Sequence, residues 1–331
     1  MPLPDLTLLS YALGRLAGAT RFAPPEMRRI RSLATVAGAW RAYRRDAGAG
    51  DVGSAHQSSS DPNSILMTDD PRRDAVVLWL AAHGVPAIAG AATTVVHMVN
   101  AARGFEADKL ALLNAAQDTV AQKPVDGPLV RACGLEDFGP DHPLRGMTYA
   151  SAAADVLITT ADFAEGRGHD AILPLPSRSM RHYVAAAPAG CWALNLVLVA
   201  RGVMPSVTGM IPRTVFRLDL NDIERAAACI DHCTHVSMAA FNEFERIDIG
   251  LDRGRDALAG LSRNARTGDA WALAMALGPT TRTQIRRALG LSRAGADIQA
   301  RSLAASGLVE LEGSGRVTPT LPGTSLLRAP D

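Results

Sequence analysis

The chain has 331 residues, of which 47% are hydrophobic and 5% aromatic, and its formal net charge at pH 7 is +1. This length and apolar content are sufficient for two domains with buried cores. The four cysteines are scattered along the chain, which excludes the disulfide framework of a small secreted protein.

The composition favours a mainly α fold, because alanine and leucine are abundant and β-branched runs are few. The first ten residues, MPLPDLTLLS, lack the charged start and the cleavage site of a signal peptide. The longest apolar stretch, Cys191 to Val203, contains Asn195 and Arg201 and is too short to span a bilayer. We therefore expect a cytoplasmic protein with no membrane segment.

Residues 1–45 are predicted to form a basic helical hairpin, in which Pro24 and Pro25 separate two amphipathic helices. The hairpin carries eight arginines against two acidic residues. One interpretation is a second surface that contacts phosphate groups. The alternative, which we favour, is an ordinary solvated helix face. The arginines in question are Arg28, Arg29, Arg31, Arg41, Arg44 and Arg45.

Residues 46–71 are rich in Gly, Ser, Asp and Asn and are predicted to be a flexible linker or a long surface loop. Residues 72–250 are predicted to form a helical core domain. The apolar helix at 188–202 is expected at its centre, and a long helix is expected over 221–247.

Cys229, His232 and Cys233 lie at helical spacing within that long helix, so they share one face. Zinc accepts such ligands, but one helix cannot easily supply a closed tetrahedron. A face of Cys, Ala and Met is typical of a protein core. The sequence therefore predicts a core face and no metal site, and no motif predicts a cofactor.

The segment 165–182 is predicted to be a polar loop with potentially reactive side chains. A His beside an Asp could act as a general base, a Ser as a nucleophile, and several Arg could bind an anion. The spacing matches no catalytic motif, so we predict no catalytic residue there. An enzyme remains an alternative, and it requires His169, Asp170 and Arg178 to converge in space. The segment's polar residues are Glu165, Arg167, His169, Asp170, Ser177, Arg178, Ser179, Arg181 and His182.

Residues 251–331 are predicted to contain a connecting helix, over 252–266, and then a helix-turn-helix with a β-hairpin. Asp269 would cap a short apolar helix, Thr280 or Thr281 a second helix, and Ser292 a third helix that ends near 306. The hairpin would follow at 308–320, with its tip at Gly313-Ser314-Gly315. Within the third helix we expect Ala294, Ile298 and Leu303 to face the core.

This order of elements predicts binding to duplex DNA, with the helix at 292–306 in the major groove and the hairpin as a wing. From Trp271 to Arg328 the chain has seven arginines against three acidic residues, and guanidinium groups bind phosphate and guanine edges. The predicted DNA-contacting residues are Thr281, Arg282, Arg286, Arg287, Ser292, Arg293, Gln299, Arg301, Ser302 and Arg316.

The stretch TTRTQIRRALGLSRAGADIQARSLAASGLVELEGSGR resembles the winged helix-turn-helix modules of bacterial transcriptional regulators, and with its flanks it covers about a sixth of the chain. The resemblance implies sequence-directed binding to double-stranded DNA, often as a homodimer. The helical domain would then serve dimerisation or the sensing of a small-molecule effector. Two alternatives stay open: an enzyme whose winged helix is an accessory, and an adaptor whose winged helix contacts protein.

The layout also resembles, more weakly, Fic-like and related plasmid-borne bacterial proteins in which a helical domain precedes a terminal winged helix. The stretch GCWALNLVLVARGVMP is similar to a late helix of such domains. The chain contains no His-x-Phe-x-Asp/Glu-Gly-Asn-Gly-Arg loop, so the catalytic part of this resemblance does not apply.

Overall fold

The computed structural model describes residues 6–47, 64–134, 142–165, 169–175, 178–184, 190–261 and 265–320. Within these ranges the protein is mainly α-helical, as predicted, with twelve α-helices and two small antiparallel sheets. Most of the predicted linker, at 48–63, lies outside the described residues. None of the helices in the described ranges combines the length and apolar character that a membrane crossing requires.

Helices dominate the first half of the chain, and the strands come in two later groups. The first seven helices are α1 (Leu6–Phe22), α2 (Pro25–Ala47), α3 (Pro71–His83), α4 (Pro86–Val99), α5 (Ala107–Ala121), α6 (Pro128–Cys133) and α7 (Arg145–Leu157). The middle of the chain contains β1 (His169–Leu175), β2 (Arg178–Val184), α8 (Cys191–Ala200), a 3-10 helix (Arg213–Phe216) and α9 (Asp222–Leu258). The last elements are α10 (Thr267–Leu277), β3 (Thr280–Thr281), α11 (Arg282–Leu289), α12 (Arg293–Ala305), β4 (Val309–Leu311) and β5 (Arg316–Pro319).

The central helix of the core is α8, in which every residue from Cys191 to Ala200 is buried. This confirms the predicted apolar core helix, which begins at Cys191 and ends at Ala200. The ring of Trp192 meets Tyr43 of α2 edge-on at 5.3 Å between ring centroids, and Phe105 lies 5.4 Å from the same ring. Aromatic pairs at these distances add to the stabilisation from burial.

The first two helices pack on this core. Helix α1 lies against α9, and α2 contacts α4, α8 and α10. Fourteen of the 23 residues of α2 are buried, Trp40 and Tyr43 among them. The arginine-rich N-terminal segment thus contributes a core helix, and only part of its surface faces solvent.

The sequence prediction of two helices at 221–247 and 252–266 is wrong, because a single helix, α9, runs for 37 residues from Asp222 to Leu258. Gly250 lies in the gap between the two predicted helices and Gly254 lies inside the second, and both are placed where α10 packs closely on α9. A Cβ at Gly254 would lie 2.6 Å from the Trp271 ring. The indole Nε1 of Trp271 donates a hydrogen bond to the Gly250 carbonyl at 2.8 Å. Gly254 therefore makes room for a neighbouring helix, and the Gly250 carbonyl accepts a hydrogen bond from it.

The predicted loop at 165–182 is also wrong in part, since β1 and β2 form an antiparallel pair from His169↔Val184 to Leu175↔Arg178. The polar residues of the segment led to the loop prediction. The two strands form seven consecutive residue pairs, so the main-chain groups of each strand that face the other strand are hydrogen-bonded.

Helices α10 and α11 rest on the helical body, which fixes the orientation of the C-terminal segment. The Gln284 side chain donates to the Leu66 carbonyl at 2.8 Å, and Arg287 donates to the Met98 carbonyl at 3.3 Å. Arg29 of α2 forms an ion pair with Asp269 of α10 at 3.3 Å. Asp269 lies in the first turn of α10, which begins at Thr267, so it is not the N-cap that the sequence predicts.

Candidate nucleic-acid interface

The turn between α11 and α12 is set by short-range signals. Thr281 caps α11 through its Oγ1, which accepts from the Gln284 amide at 3.2 Å, while the Gln284 side chain accepts from the Thr281 amide at 2.8 Å. Gly290 ends α11 with a φ of 63°, a conformation that favours glycine. Ser292 then caps α12, accepting from the Gly295 amide at 3.0 Å. The predicted caps at Thr281 and Ser292 are confirmed.

The three-stranded sheet brings the tip of the β4–β5 hairpin to the start of α11. The strand order is β3-β5-β4, and Thr281 pairs with Arg316 in the antiparallel register of β3 and β5. The Arg282 amide donates to the Gly315 carbonyl at 3.3 Å. The hairpin tip and the N-terminus of α11 therefore form one continuous edge.

A concave surface of about 970 Å³ lies between this edge and the N-terminal half of α12. It brings together five of the predicted DNA-contacting residues, which come from two helices and a strand. We call it the arginine cleft. Its lining includes Thr281, Arg282, Arg286, Arg293 and Arg301, together with Thr283, Ala294, Ala296, Asp297, Ser314 and Gly315.

Asp297 lies among these arginines and holds two of them. Its Oδ1 is 2.7 Å from Nη1 of Arg282, and its Oδ2 is 2.6 Å from Nη2 of Arg301. Asp297 was not predicted as a member of the surface, although its spacing of four residues from Arg301 is typical of a helical ion pair. The carboxylate fixes two guanidinium groups and lowers the positive charge of the cleft by one.

Arg286 and Arg293 complete the positive side of the cleft. Both are exposed, and within the described part of the chain neither forms an ion pair. They are therefore the guanidinium groups with the greatest freedom to bind an anion that enters from solvent.

The other five predicted contact residues do not line this cleft, and one of them, Ser292, caps α12. Arg287 points to the helical body, where it donates to the Met98 carbonyl. Gln299 accepts a hydrogen bond from the Thr267 hydroxyl at 2.5 Å, and Ser302 is half-buried. Arg316 lies 3.6 Å from the Glu312 carboxylate on the hairpin. These positions support the surface from behind or from its side.

The outward face of α12 differs from the prediction, because Ala294 and Ile298 face solvent and Ile298 is 60% exposed. Leu303 is buried as predicted, and the other buried residues of α12 are Ala296 and Ala300. Both the predicted and the observed set have helical spacing. The small Ala296 and Ala300 side chains let α12 approach its neighbours closely, whereas the bulkier Ile298 is left outside.

The arginines of the predicted second basic surface are dispersed. Arg31 is only 4% exposed and donates to the carbonyls of Ala240 at 3.4 Å and Ser206 at 3.1 Å. Its burial lowers the pKa of the guanidinium, which the Glu243 carboxylate partly offsets. Arg31 is therefore an internal cross-link between α2, α9 and the loop after α8.

The remaining members face different neighbours. Arg41 forms an ion pair with Glu243 at 3.7 Å, and Arg45 pairs with Asp46 at 2.9 Å. Arg44 lies over the Trp40 ring at 5.9 Å from its centroid. Arg29 pairs with Asp269, and Arg28 is exposed. The set does not converge on a single surface as the residues of the arginine cleft do.

Cys229 and Cys233 lie in the core, where burial raises the pKa of each thiol to about 12. The Cys233 sulfur is 3.9 Å from the Ser237 hydroxyl. His232 hydrogen-bonds the Gly209 carbonyl through Nε2 at 2.7 Å. Among the described residues, no group of three or more His, Cys, Asp and Glu side chains is arranged to hold a metal ion.

The residues of the alternative enzyme hypothesis are not brought together by the β1–β2 hairpin. His169 pairs with Val184 at one end, whereas Arg178 pairs with Leu175 at the other. Six residues of strand separate these ends, or about 20 Å. Glu165 is buried against Arg213, 2.5 Å away, and burial raises its pKa although the guanidinium opposes the shift. Arg167 and Ser177 lie outside the described residues.

Comparison with known proteins assigns no family to this chain. The scan against protein-family models gave no match, and the search of curated proteins likewise gave none.

Proposed function

We propose that residues 267–320 form a winged helix-turn-helix module that binds double-stranded DNA, and that the protein is a transcriptional regulator. In this proposal α12 enters the major groove and the β4–β5 hairpin is the wing. The observation that carries it is the arginine cleft, in which Arg282, Arg286, Arg293 and Arg301 converge between α11, α12 and the hairpin tip.

Each part of the cleft has a role that fits duplex DNA. Arg286 and Arg293, which are exposed, would contact phosphates on the two sides of the groove. Arg301, oriented by Asp297, would reach base edges, since a guanidinium group donates to two acceptors of guanine. The exposed Ala294 and Ile298 would contact thymine methyl groups, which only the major groove presents.

The arrangement of the other helices agrees with this orientation. Helices α10 and α11 face the helical body, and the outward face of α12 is left open. The body is then available for the regulator's other tasks. We include among them homodimerisation, which would match a two-fold symmetric operator, and the sensing of a small-molecule effector.

Fluorescence anisotropy with a labelled duplex tests the proposal. We expect binding to a random-sequence duplex whose affinity falls about a hundredfold between about 50 and about 200 mM salt, since about four phosphate contacts release their counterions. A duplex from the region upstream of the protein's own coding sequence should bind more tightly at every salt concentration. Absence of binding at low salt, or an affinity that does not change with salt, would exclude this function.

The same assay applied to Asp297→Asn tests the role of the arginine cleft. The amide keeps the shape of the side chain but removes the one negative charge that Asp297 places between Arg282 and Arg301. We expect about fivefold tighter binding to random-sequence duplex, since one charge at about 4 Å contributes about 1 kcal/mol in water. The slope of log affinity against log salt concentration should steepen by the equivalent of about one phosphate contact. Unchanged or weaker binding would show that the DNA does not contact the arginine cleft.

A further inference from the structure

A second and larger cleft, of about 1380 Å³, lies in the helical body. Its walls come from the C-terminal half of α1, the end of α5, the start of α7 and the loop that follows α8. None of the residues predicted to contact DNA lines it. We call it the body cleft, and it has an apolar floor and a positively charged rim.

The floor of the body cleft is apolar and rigidly packed. Leu13 and Leu16 of α1, Val120 of α5 and Val207 of the loop after α8 all line it, and each is at most 4% exposed. The Tyr149 hydroxyl of α7 donates to the Val120 carbonyl and ties two walls together. Val203 and Met204, which also line the cleft, are half-buried, and an apolar group of a small molecule would remove their accessible surface from water.

The rim is positively charged. Arg21, Lys123, Arg145 and Arg201 line the cleft, all four are exposed, and within the described ranges none of them forms an ion pair. Asp126 is the acidic member among the lining residues, and its carboxylate is 3.4 Å from Arg131. A concave surface with an excess of one charge raises the local concentration of oppositely charged molecules.

The backbone of the rim is held in an unusual conformation. Lys123 and Ser206 have positive φ angles of 53° and 75°, and they are two of three such non-glycine residues in the described chain. Lys123 lines the cleft, and Ser206 follows Pro205, which also lines it. The carbonyl of Ser206 is held by the buried Arg31 at 3.1 Å. Lys123 has this conformation where α5 ends, and both residues fix the course of the chain at the rim.

We propose that the body cleft binds a small organic acid, whose apolar body rests on the floor and whose acidic group is bound by Arg145, Arg201 and the neighbouring cations. The class is an aliphatic or aromatic carboxylate or sulfonate. An inorganic anion would leave the apolar floor unused, and an uncharged hydrocarbon would leave the cations without a partner. Binding of an organic acid in the body cleft does not depend on whether the protein binds DNA.

Two fluorescent probes that share one apolar body test the proposal. Anilinonaphthalene sulfonate carries a negative charge, and N-phenyl-1-naphthylamine carries none. We expect the sulfonate to bind at one site with a saturable increase in fluorescence. In the double variant Arg145→Gln/Arg201→Gln its affinity should fall at least about tenfold, because two charges at the rim are lost. The double variant should bind the uncharged probe with an affinity within about twofold of that of the unaltered protein. This result would also show that the apolar floor is intact.

The control variant is Arg103→Gln/Lys109→Gln, which removes two positive charges outside the cleft. It should leave sulfonate binding unchanged. A competition on the unaltered protein requires no variant: octanoate should displace the sulfonate, whereas octylamine should not. Equal loss of sulfonate binding in both double variants, or displacement by octylamine as readily as by octanoate, would overturn the proposal.

Discussion

Replacing Arg286 and Arg293 together by alanine is expected to weaken binding to random-sequence duplex DNA by about 30-fold, or about 2 kcal/mol, since each lost phosphate contact costs about 1 kcal/mol in water. Both side chains are exposed in the arginine cleft and bind no acidic group within the described residues. The slope of log affinity against log salt concentration should also become shallower, by the equivalent of about two phosphate contacts. Anisotropy titrations at several salt concentrations measure both quantities.

The fold should be unaffected, because neither guanidinium is buried and substitutions at such positions usually change stability by less than about 0.5 kcal/mol. The matched control is Arg103→Ala/Lys109→Ala, which removes the same charge far from the arginine cleft in sequence and outside its lining. If the control weakened DNA binding as much as the test variant, net charge alone would explain the loss. The assignment of the cleft would then be wrong.

Asn195→Ala is expected to lower the free energy of unfolding by about 4 kcal/mol, through lost hydrogen bonds and a cavity. The amide is 3% exposed at the centre of α8. It donates to Asp46 at 3.0 Å and to the Ile211 carbonyl at 2.8 Å, and it accepts from the Ile211 amide at 2.9 Å. Truncation leaves all these groups buried without this partner.

Denaturant unfolding of Asn195→Ala should be compared with Asn114→Ala, an exposed position on α5 that is expected to change little. The loss at Asn195 should be smaller at acidic pH. Burial raises the pKa of Asp46, and the Asn195 amide opposes that shift. Without the amide the pKa rises further, so the folded state takes up a proton more readily and regains stability as pH falls. A loss below about 1 kcal/mol would contradict this account of the core.

Features governed by neighbouring residues could be predicted from the sequence. The caps at Thr281 and Ser292 and the helix end at Gly290 depend on side chains within three or four residues of each other. The apolar helix at the centre of the core was predicted because no polar face interrupts it, with Asn195 as the exception that the core satisfies internally.

Features governed by distant partners could not be predicted in the same way. The continuity of α9 past residue 247 depends on α10, whose Trp271 packs against Gly254 and donates to the Gly250 carbonyl. Arg31 looks like a surface arginine until the carbonyls of Ala240 and Ser206 surround it. The rotation of α12, which buries Ala296 and exposes Ile298, depends on how this helix packs against α10, α11 and β4.

The candidate site likewise has features set by neighbouring residues and features set by distant partners. The arginines were found from the sequence because they are dense within two short helices. Their convergence depends on the packing of α11 against α12, and the role of Asp297 requires Arg282 to reach it from another helix. The body cleft combines residues from 13 to 207 and has no local signal at all.

Site-specific photo-crosslinking tests the central claim most directly. A photoreactive benzoylphenylalanine would be placed at position 298 on α12 or at position 172 on β1, since both isoleucines are well exposed, at 60% and 66%. Illumination with labelled duplex DNA at low salt is expected to join DNA to position 298 and not to position 172. Crosslinking at 172 with none at 298 would show that α12 does not lie against the duplex, and the proposed DNA-binding surface would be abandoned.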